Sequence, residues 1–365
     1  MGLINVLVVD DSVVVRKIVT TVLESDPALS VAGTAANGQI ALSKLLQVAP
    51  DLVTLDIEMP GMDGIETLRR IRRTHPRLPV VMFSTLTERG ATSTLDALSA
   101  GASDYVCKPA NMGSVPQAME AVRSQLIPRI KALCPGVLAP VRTALRPATP
   151  AVPGPRSAGR PDGSPAALLA IGASTGGPDA LTAVLSHLPA DLPVPVVVTQ
   201  HMPPVFTRLF AQRLDGKCRL RVREAEQGDR VVPGVVLIAP GDRHLELRRG
   251  ADGVRVHLSQ APAENYCRPA VDVMFRSAAQ VYGDGVVGVV LTGMGTDGAR
   301  GAEVLRRGGA QVYVQDQASS VVWGMPGAVV AAGQADRVLP LSAMGSEVLL
   351  AVGRRRAPSR TGVPA

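Results

Sequence analysis

The sequence predicts an α/β protein of two parallel-sheet domains joined by an extended linker, and three observations carry that expectation. Short apolar runs alternate with helical periodicities along most of the chain, the pattern of β/α units wound into parallel sheets. Residues 135–165 interrupt the alternation, with eight prolines among Ala, Gly, Arg and Ser and no hydrophobic period. The 365 residues suffice for two domains of ordinary size, each with its own core. The expected division is a first domain over 1–125 with its last helix reaching about 134, a proline-rich linker over 135–165, a second domain over 166–353, and a basic disordered tail over 354–365.

Composition narrows the classes of function. The chain is 46% hydrophobic but only 2% aromatic, so its cores must be built from Val, Leu, Ala and Ile. The net charge of +7 belongs to neither domain: residues 1–134 hold 13 basic and 13 acidic residues, and residues 166–353 hold 17 of each. The surplus lies in the linker and tail, where solvated segments explain it, so nucleic acid is not an expected partner. Four cysteines are scattered without paired spacing, as in a reducing compartment. No apolar run approaches the ~18–20 residues of a membrane span, and the N-terminus carries no targeting pattern. A soluble, cytoplasmic protein without membrane insertion is expected.

In the first domain, strands are predicted at Asn5–Val9, Ser30–Ala35, Leu52–Leu55, Pro79–Phe83 and Ser103–Val106. Helices are predicted at Val13–Leu23, Gly38–Val48, Ile65–Arg73, Thr92–Ala100 and Val115–Cys134. Five such units in series imply a doubly wound parallel sheet with function at the carboxyl ends of the strands. There stand Asp10 and Asp11, Asp56, Ser84, and Lys108 followed by Pro109. Three converging carboxylates repel one another unless a cation sits among them, and a hard ion such as Mg²⁺ suits them. Acidic loops at strand ends are often only solvated turns, but four matched strand ends with a Lys-Pro pair argue against that reading here. The arginines from Arg69 to Arg73 read as a solvated helix face.

This constellation resembles the receiver domain of two-component response regulators, a flavodoxin-like fold. The resemblance implies that Asp56 accepts a phosphoryl group from a histidine kinase, with Asp10, Asp11 and Asp56 holding Mg²⁺. It further implies that Lys108 and Ser84 contact the phosphoryl oxygens and that Tyr105 is an aromatic switch. The loop Asp56-Ile-Glu-Met-Pro-Gly-Met-Asp-Gly64 fits the same family.

In the second domain, strands are predicted at Leu168–Ile171, Val194–Thr199, Val286–Leu291 and Gln311–Val314. Helices are predicted at Pro178–Leu188, Phe206–Leu214, Ala270–Tyr282, Gly298–Arg307 and Ser342–Val352. Alternating runs at Arg219–Arg223, Val235–Ala239, Leu245–Arg248 and Val254–Leu258 suggest an antiparallel insertion. The first strand ends in Gly172-Ala-Ser-Thr-Gly176, with Gly177-Pro178 opening a helix. That is the shape of a nucleophile elbow, which projects the Ser174 hydroxyl beside a helix N-terminus. Two readings compete at this turn. One is a dinucleotide fingerprint with its middle glycine replaced, which wants an acid where Gln200-His201 stand. The other is a glycine-rich turn with an incidental serine.

A serine nucleophile needs a base and an orienting acid. Of the five histidines, His75 lies in the first domain, His187 in a helix, His244 in a polar loop and His257 in an alternating strand. His201 ends a predicted parallel strand on the edge where Ser174 should sit. Asp297 follows the strand Val286–Leu291, where an Asp more often caps the coming helix. Gly293 and Gly295 flank Met294, whose backbone N–H is suited to an oxyanion hole. The order Ser…His…Asp differs from the familiar serine-hydrolase orders.

With Gly172-Ala-Ser-Thr-Gly-Gly-Pro178, Gln200-His-Met-Pro203, Leu237-Ile-Ala-Pro-Gly-Asp-Arg-His244, Arg268-Pro-Ala-Val-Asp-Val-Met-Phe275 and Leu291-Thr-Gly-Met-Gly-Thr-Asp-Gly-Ala299, the segment from about Ala166 to Leu350 resembles the CheB family of chemotaxis protein-glutamate methylesterases. Thr296 stands where the family more often has Asn. The resemblance implies a phosphorylation-regulated serine hydrolase that demethylates glutamyl methyl esters on chemoreceptors and releases methanol, with no cofactor for the esterase. Deamidation of receptor glutamines is a second activity it leaves open, as it does a chemosensory pathway other than flagellar chemotaxis.

Overall fold

The computed structural model describes residues 2–108, 114–138 and 166–353. Pro109, the linker beyond residue 138 and the basic tail lie outside the described residues. The chain falls into two compact units.

The N-terminal unit runs β1 (Ile4–Val9), α1 (Val13–Glu24), β2 (Leu29–Ala35), α2 (Gly38–Val48), β3 (Leu52–Asp56), α3 (Gly64–Thr74), β4 (Val80–Ser84), α4 (Glu88–Ser99), β5 (Asp104–Cys107), α5 (Val115–Leu133) and the short α6 (Pro135–Leu138). All strand pairs are parallel, in the order β2-β1-β3-β4-β5. The apolar runs of β1, β3 and β4 are buried on both faces, as helices on each side of a parallel sheet require. Ser12, Asn37, Asp63 and Thr87 each accept a backbone N–H at a helix start. The Thr87 cap starts α4 four residues before the expected Thr92, because Gly90 occupies its first turn and hides the apolar period there.

The C-terminal unit runs β6 (Leu168–Ala173), α7 (Gly177–His187), β7 (Val196–Gln200), α8 (Phe206–Asp215), β8 (Arg221–Glu224), β9 (Val235–Ile238), β10 (His244–Gly250), β11 (Gly253–Ser259), α9 (Val271–Tyr282), β12 (Val286–Val290), α10 (Ala299–Arg307), β13 (Gln311–Gln315), α11 (Met325–Ala331), β14 (Arg337–Leu339) and α12 (Leu341–Gly353). Seven strands form one parallel sheet in the order β14-β13-β12-β6-β7-β9-β8. One face of the sheet, with Leu168, Ala170, Val197, Leu237, Val286 and Val312, is buried in one cluster with Met274 and Phe275 of α9. Each such large side chain contributes roughly 1.5–3 kcal/mol on burial.

Of the four strands expected to be antiparallel, only β10 and β11 pair that way. β8 and β9 join the main sheet in parallel. β8 is the edge strand, so its alternation reports one exposed face rather than a strand direction. Both α11 and β14 were outside the expected set, and a three-residue strand is too short to show a period.

The sheet order places the site. From β6 the chain winds outward through β7 to β8 and β9, then returns to lay β12 on the other side of β6. The crevice at such a reversal, outside the carboxyl ends of the strands, is where open α/β sheets carry ligands.

Candidate active site and phosphoacceptor pocket

Ser174 follows β6 directly at that reversal. Its backbone N–H donates to Thr292 O (3.1 Å), and its carbonyl accepts from Gly177 N (2.7 Å) and Gln200 Nε2 (3.0 Å). The turn passes through Gly176 at φ +76°, a conformation that costs little only for glycine. Gly293 lies so close that a Cβ on it would stand 2.8 Å from the Ser174 Cβ. The loop after β12 therefore seats directly against the serine.

His201 continues the β7 ladder by donating its N–H to Ala173 O (3.2 Å), which sets it beside Ser174. Its Nε2 meets Asp297 Oδ2 at 2.8 Å, and its Nδ1 faces Cys267 Sγ at 3.5 Å. Ser174 Oγ makes no hydrogen bond among the described residues. Burial would lower the imidazole pKa, but the bonds to Asp297 and Cys267 outweigh it and raise it above the ordinary histidine value.

Asp297 is 1% exposed. Its Oδ2 also accepts Val271 N (2.6 Å), and its Oδ1 accepts Asn265 Nδ2, Asp272 N and Gly298 N at 3.0 Å each. Burial favours the neutral acid, yet the His201 bond and the amide donors hold the carboxyl below its usual range. It does cap a helix, as the competing reading proposed, but the helix is α9 rather than its own. Asp272 returns the arrangement by accepting Gly301 N (2.6 Å) from the first turn of α10. Asp297 thus orients an imidazole while tying two helix starts together.

The Gly293 N–H is spent on Val322 O (3.0 Å), and its carbonyl takes Gly324 N and Met325 N. The next N–H along, that of Met294, has no acceptor among the described residues. That leaves an unspent backbone donor next to Gly293, which itself packs against Ser174; unspent donors of this kind are what an oxyanion site uses. Asn265, Cys267 and Asp272 were missed by sequence reasoning. Asp272 was visible within the Arg268–Phe275 motif, but nothing in spacing points a turn residue such as Cys267 at an imidazole.

The second cluster lies at the carboxyl ends of β1, β3 and β5. Lys108 Nζ reaches Asp10 Oδ2 (3.1 Å) and Asp56 Oδ2 (2.7 Å), and among the described residues no other hydrogen-bond donor reaches either oxygen. Carboxylate oxygens of Asp10, Asp11 and Asp56 all lie within 4.8 Å of one another. Burial pushes the Asp56 carboxyl up to about 6, the Lys108 bond opposing and the Asp10 charge adding to it. One lysine therefore undercompensates two buried carboxylates and an exposed third. A hard divalent ion such as Mg²⁺ fits this all-oxygen donor set. The Ser84 hydroxyl bonds to Gly90 O (3.1 Å) and Thr94 Oγ1 of α4 and to Thr85 O (3.2 Å). Tyr105 lies buried on β5.

Comparison with known proteins bears on both clusters. Residues 169–348 match the CheB methylesterase family, and residues 6–120 match the response regulator receiver domain family. A protein-glutamate methylesterase/protein-glutamine glutaminase of Nocardioides sp. is 57% identical, covering 97% of this chain and 96% of the relative. The protein of the same name from Trichodesmium erythraeum is 50% identical, over 96% of this chain and 99% of the relative. The crystal structure of the Thermotoga maritima CheB methylesterase catalytic domain is similar at 42% identity and a TM-score of 0.50, covering 51% of this chain and 99% of that one.

Proposed function

Because this chain belongs to the protein-glutamate methylesterase/protein-glutamine glutaminase family, with a receiver domain ahead of a CheB methylesterase domain, we propose that Ser174, His201 and Asp297 are its catalytic triad. The enzyme is a carboxylic ester hydrolase that demethylates protein glutamyl methyl esters under phosphorylation control, with glutamine deamidation as its second activity. Ser174 Oγ attacks the ester carbonyl while His201 Nδ1 takes its proton. Asp297 keeps the Nε2 proton in place and stabilises the imidazolium. The Met294 N–H donates to the oxyanion, and methanol leaves with the proton held by His201. Water then gives a proton to Nδ1 and attacks the acyl carbonyl, and His201 returns that proton to Ser174 Oγ as the glutamate side chain leaves.

The substrates are methyl-accepting chemoreceptors, whose cytoplasmic helices carry the esters, so the chain acts in the cytoplasm. Among the described residues no helix is long and apolar enough to cross a membrane. Asp56 accepts the phosphoryl group of a chemotaxis histidine kinase. Asp10, Asp11 and Asp56 would hold Mg²⁺, which supplies charge neutralisation for that transfer. Lys108 holds the Asp56 carboxylate in place, and Ser84 and Tyr105 respond to its phosphorylation.

The observation that carries this reading is the convergence of three strand ends, β6, β7 and β12, with His201 Nε2 2.8 Å from Asp297 Oδ2 and Gly293 packed against Ser174. Its test is Ser174→Ala, which should lower methanol release from methylated receptor by on the order of 10³-fold or more. Asp56 phosphorylation should stay intact in that variant. Hydrolysis near the parent rate would refute the assignment.

A further inference from the structure

Cys267 takes no step in the proposed ester chemistry, and its 3.5 Å separation from His201 Nδ1 also suits two ligands around a shared ion. We propose that Cys267 Sγ and His201 Nδ1 form a binding site for Zn²⁺, and that the bound ion blocks the esterase. Zinc bonds of about 2.3 Å to sulfur and about 2.0–2.1 Å to nitrogen, at a tetrahedral angle, put the two donors about 3.5–3.6 Å apart. The observed Sγ···Nδ1 separation is 3.5 Å. Little movement is needed to admit the ion.

Both donors are also prepared in the way metal ligands are. A metal-bound imidazole usually donates its other N–H to a carboxylate, and His201 Nε2 does so to Asp297 Oδ2 at 2.8 Å. The carboxylate is itself fixed by amide donors from Val271, Asp272 and Gly298. The sulfur sits at the end of a closed turn, with Glu264 N to Cys267 O at 3.1 Å and Cys267 N to Glu264 O at 2.9 Å. Arg276 clamps that turn through Glu264 (2.7 and 2.5 Å), and Asn265 ties it to Asp272 and Asp297. The two ligands thus come from separate elements, each locked in place. His201 keeps 12% of its side chain exposed and Cys267 is half-buried, so an ion can enter.

Binding exchanges the thiol proton for the metal: the S–H proton leaves to solvent, a sulfur–zinc bond forms, and a neutral Nδ1 donates its lone pair. Water fills the remaining positions. Nδ1 is the atom that must take the serine's proton, so the occupied enzyme has no base. That consequence rests on the triad reading, whereas the binding itself does not. At saturating zinc the rate should fall by on the order of 10²-fold or more, the ordinary contribution of a general base.

The test uses the full chain, stripped with a chelator, and Co²⁺ as a spectroscopic stand-in. Cobalt should give a near-ultraviolet sulfur-to-metal absorption that zinc displaces. The band should be absent from Cys267→Ser and retained in Cys218→Ser. The oxygen-only cluster at Asp10, Asp11 and Asp56 cannot produce such a band. In the unmutated protein, zinc should also protect Cys267 from alkylation, mapped by peptide mass, which needs no variant to fold. Esterase inhibition, taken against each variant's own zinc-free rate, should be reversed by chelator and lost in Cys267→Ser. No thiolate band with no protection of Cys267, or equal inhibition of parent and Cys267→Ser, would overturn the proposal. Band and protection without inhibition would leave the site standing and refute the role of Nδ1 as the base.

Discussion

At Asp297 one carboxylate holds the His201 imidazole and caps a helix, and if it is the triad's acid a single substitution should expose both roles. In Asp297→Asn one of the two oxygens becomes an N–H₂ group facing either His201 and Val271 N, or Asn265, Asp272 N and Gly298 N. Donor then meets donor on whichever side it falls. Turnover should drop by roughly 10⁴-fold if the orienting acid acts as in other serine triads. The same change should lower stability by about 1–3 kcal/mol through unpaired buried groups. It should also move the pH profile. A base must be neutral to act, and Asp297 holds the His201 pKa above its usual value, so the parent's rate should rise along a limb displaced to alkaline pH. Removing the carboxylate lowers that pKa, so the residual activity of Asp297→Asn, measured with chelator present, should rise at lower pH than the parent. Coincident limbs would show that Asp297 does not tune the imidazole. The sequence pointed to Asp297 through its place in the Leu291–Ala299 motif after β12. Its helix-capping partners were illegible because α9 begins 26 residues earlier in the chain.

Helix starts are where the C-terminal unit stores its internal order. α9 and α10 have no side-chain cap of their own, and each borrows an acceptor from the other's neighbourhood: Asp297 for α9 and Asp272 for α10. Asp272→Ala removes the acceptor for Gly301 N, costing roughly 1–2 kcal/mol, the usual loss for a cap. Thermal unfolding of the C-terminal unit should then fall by a few degrees. An unchanged midpoint would mean that water satisfies Gly301 N as well as the carboxylate does. Elements with buried apolar runs, such as β6, β7 and β12, were legible because a parallel sheet covered on both faces demands such runs. The direction of β8 was not, since an edge strand alternates whichever way it pairs. α11 was hidden for a different reason: its place is set by Gly293 O accepting Met325 N, a contact 32 residues distant in sequence.

Across the whole molecule, a phosphoacceptor pocket and an esterase site occupy one chain, each at the carboxyl end of its own parallel sheet. That shared rule pointed to both candidate sites: Asp10, Asp56 and Lys108 end or directly follow strands in one, Ser174 and His201 do so in the other, and Asp297 stands in the loop between β12 and α10. What strand-end position did not show is that the Ser84 hydroxyl also bonds to α4, through Gly90 O and Thr94 Oγ1. If phosphorylation of Asp56 controls the esterase, Asp56→Asn should hold methanol release at the unphosphorylated rate when a small phosphodonor and Mg²⁺ are added, while the parent accelerates. Equal acceleration of both would place the control elsewhere. The central claim, that Ser174 is the nucleophile, is tested most directly by acid-quenching the full chain during turnover of a methylated receptor peptide and mapping the adduct by mass. The account predicts that peptide, less methanol, bound as an ester to the fragment containing Ser174. An adduct on Cys267, which already lies against His201 Nδ1 at 3.5 Å, would contradict it.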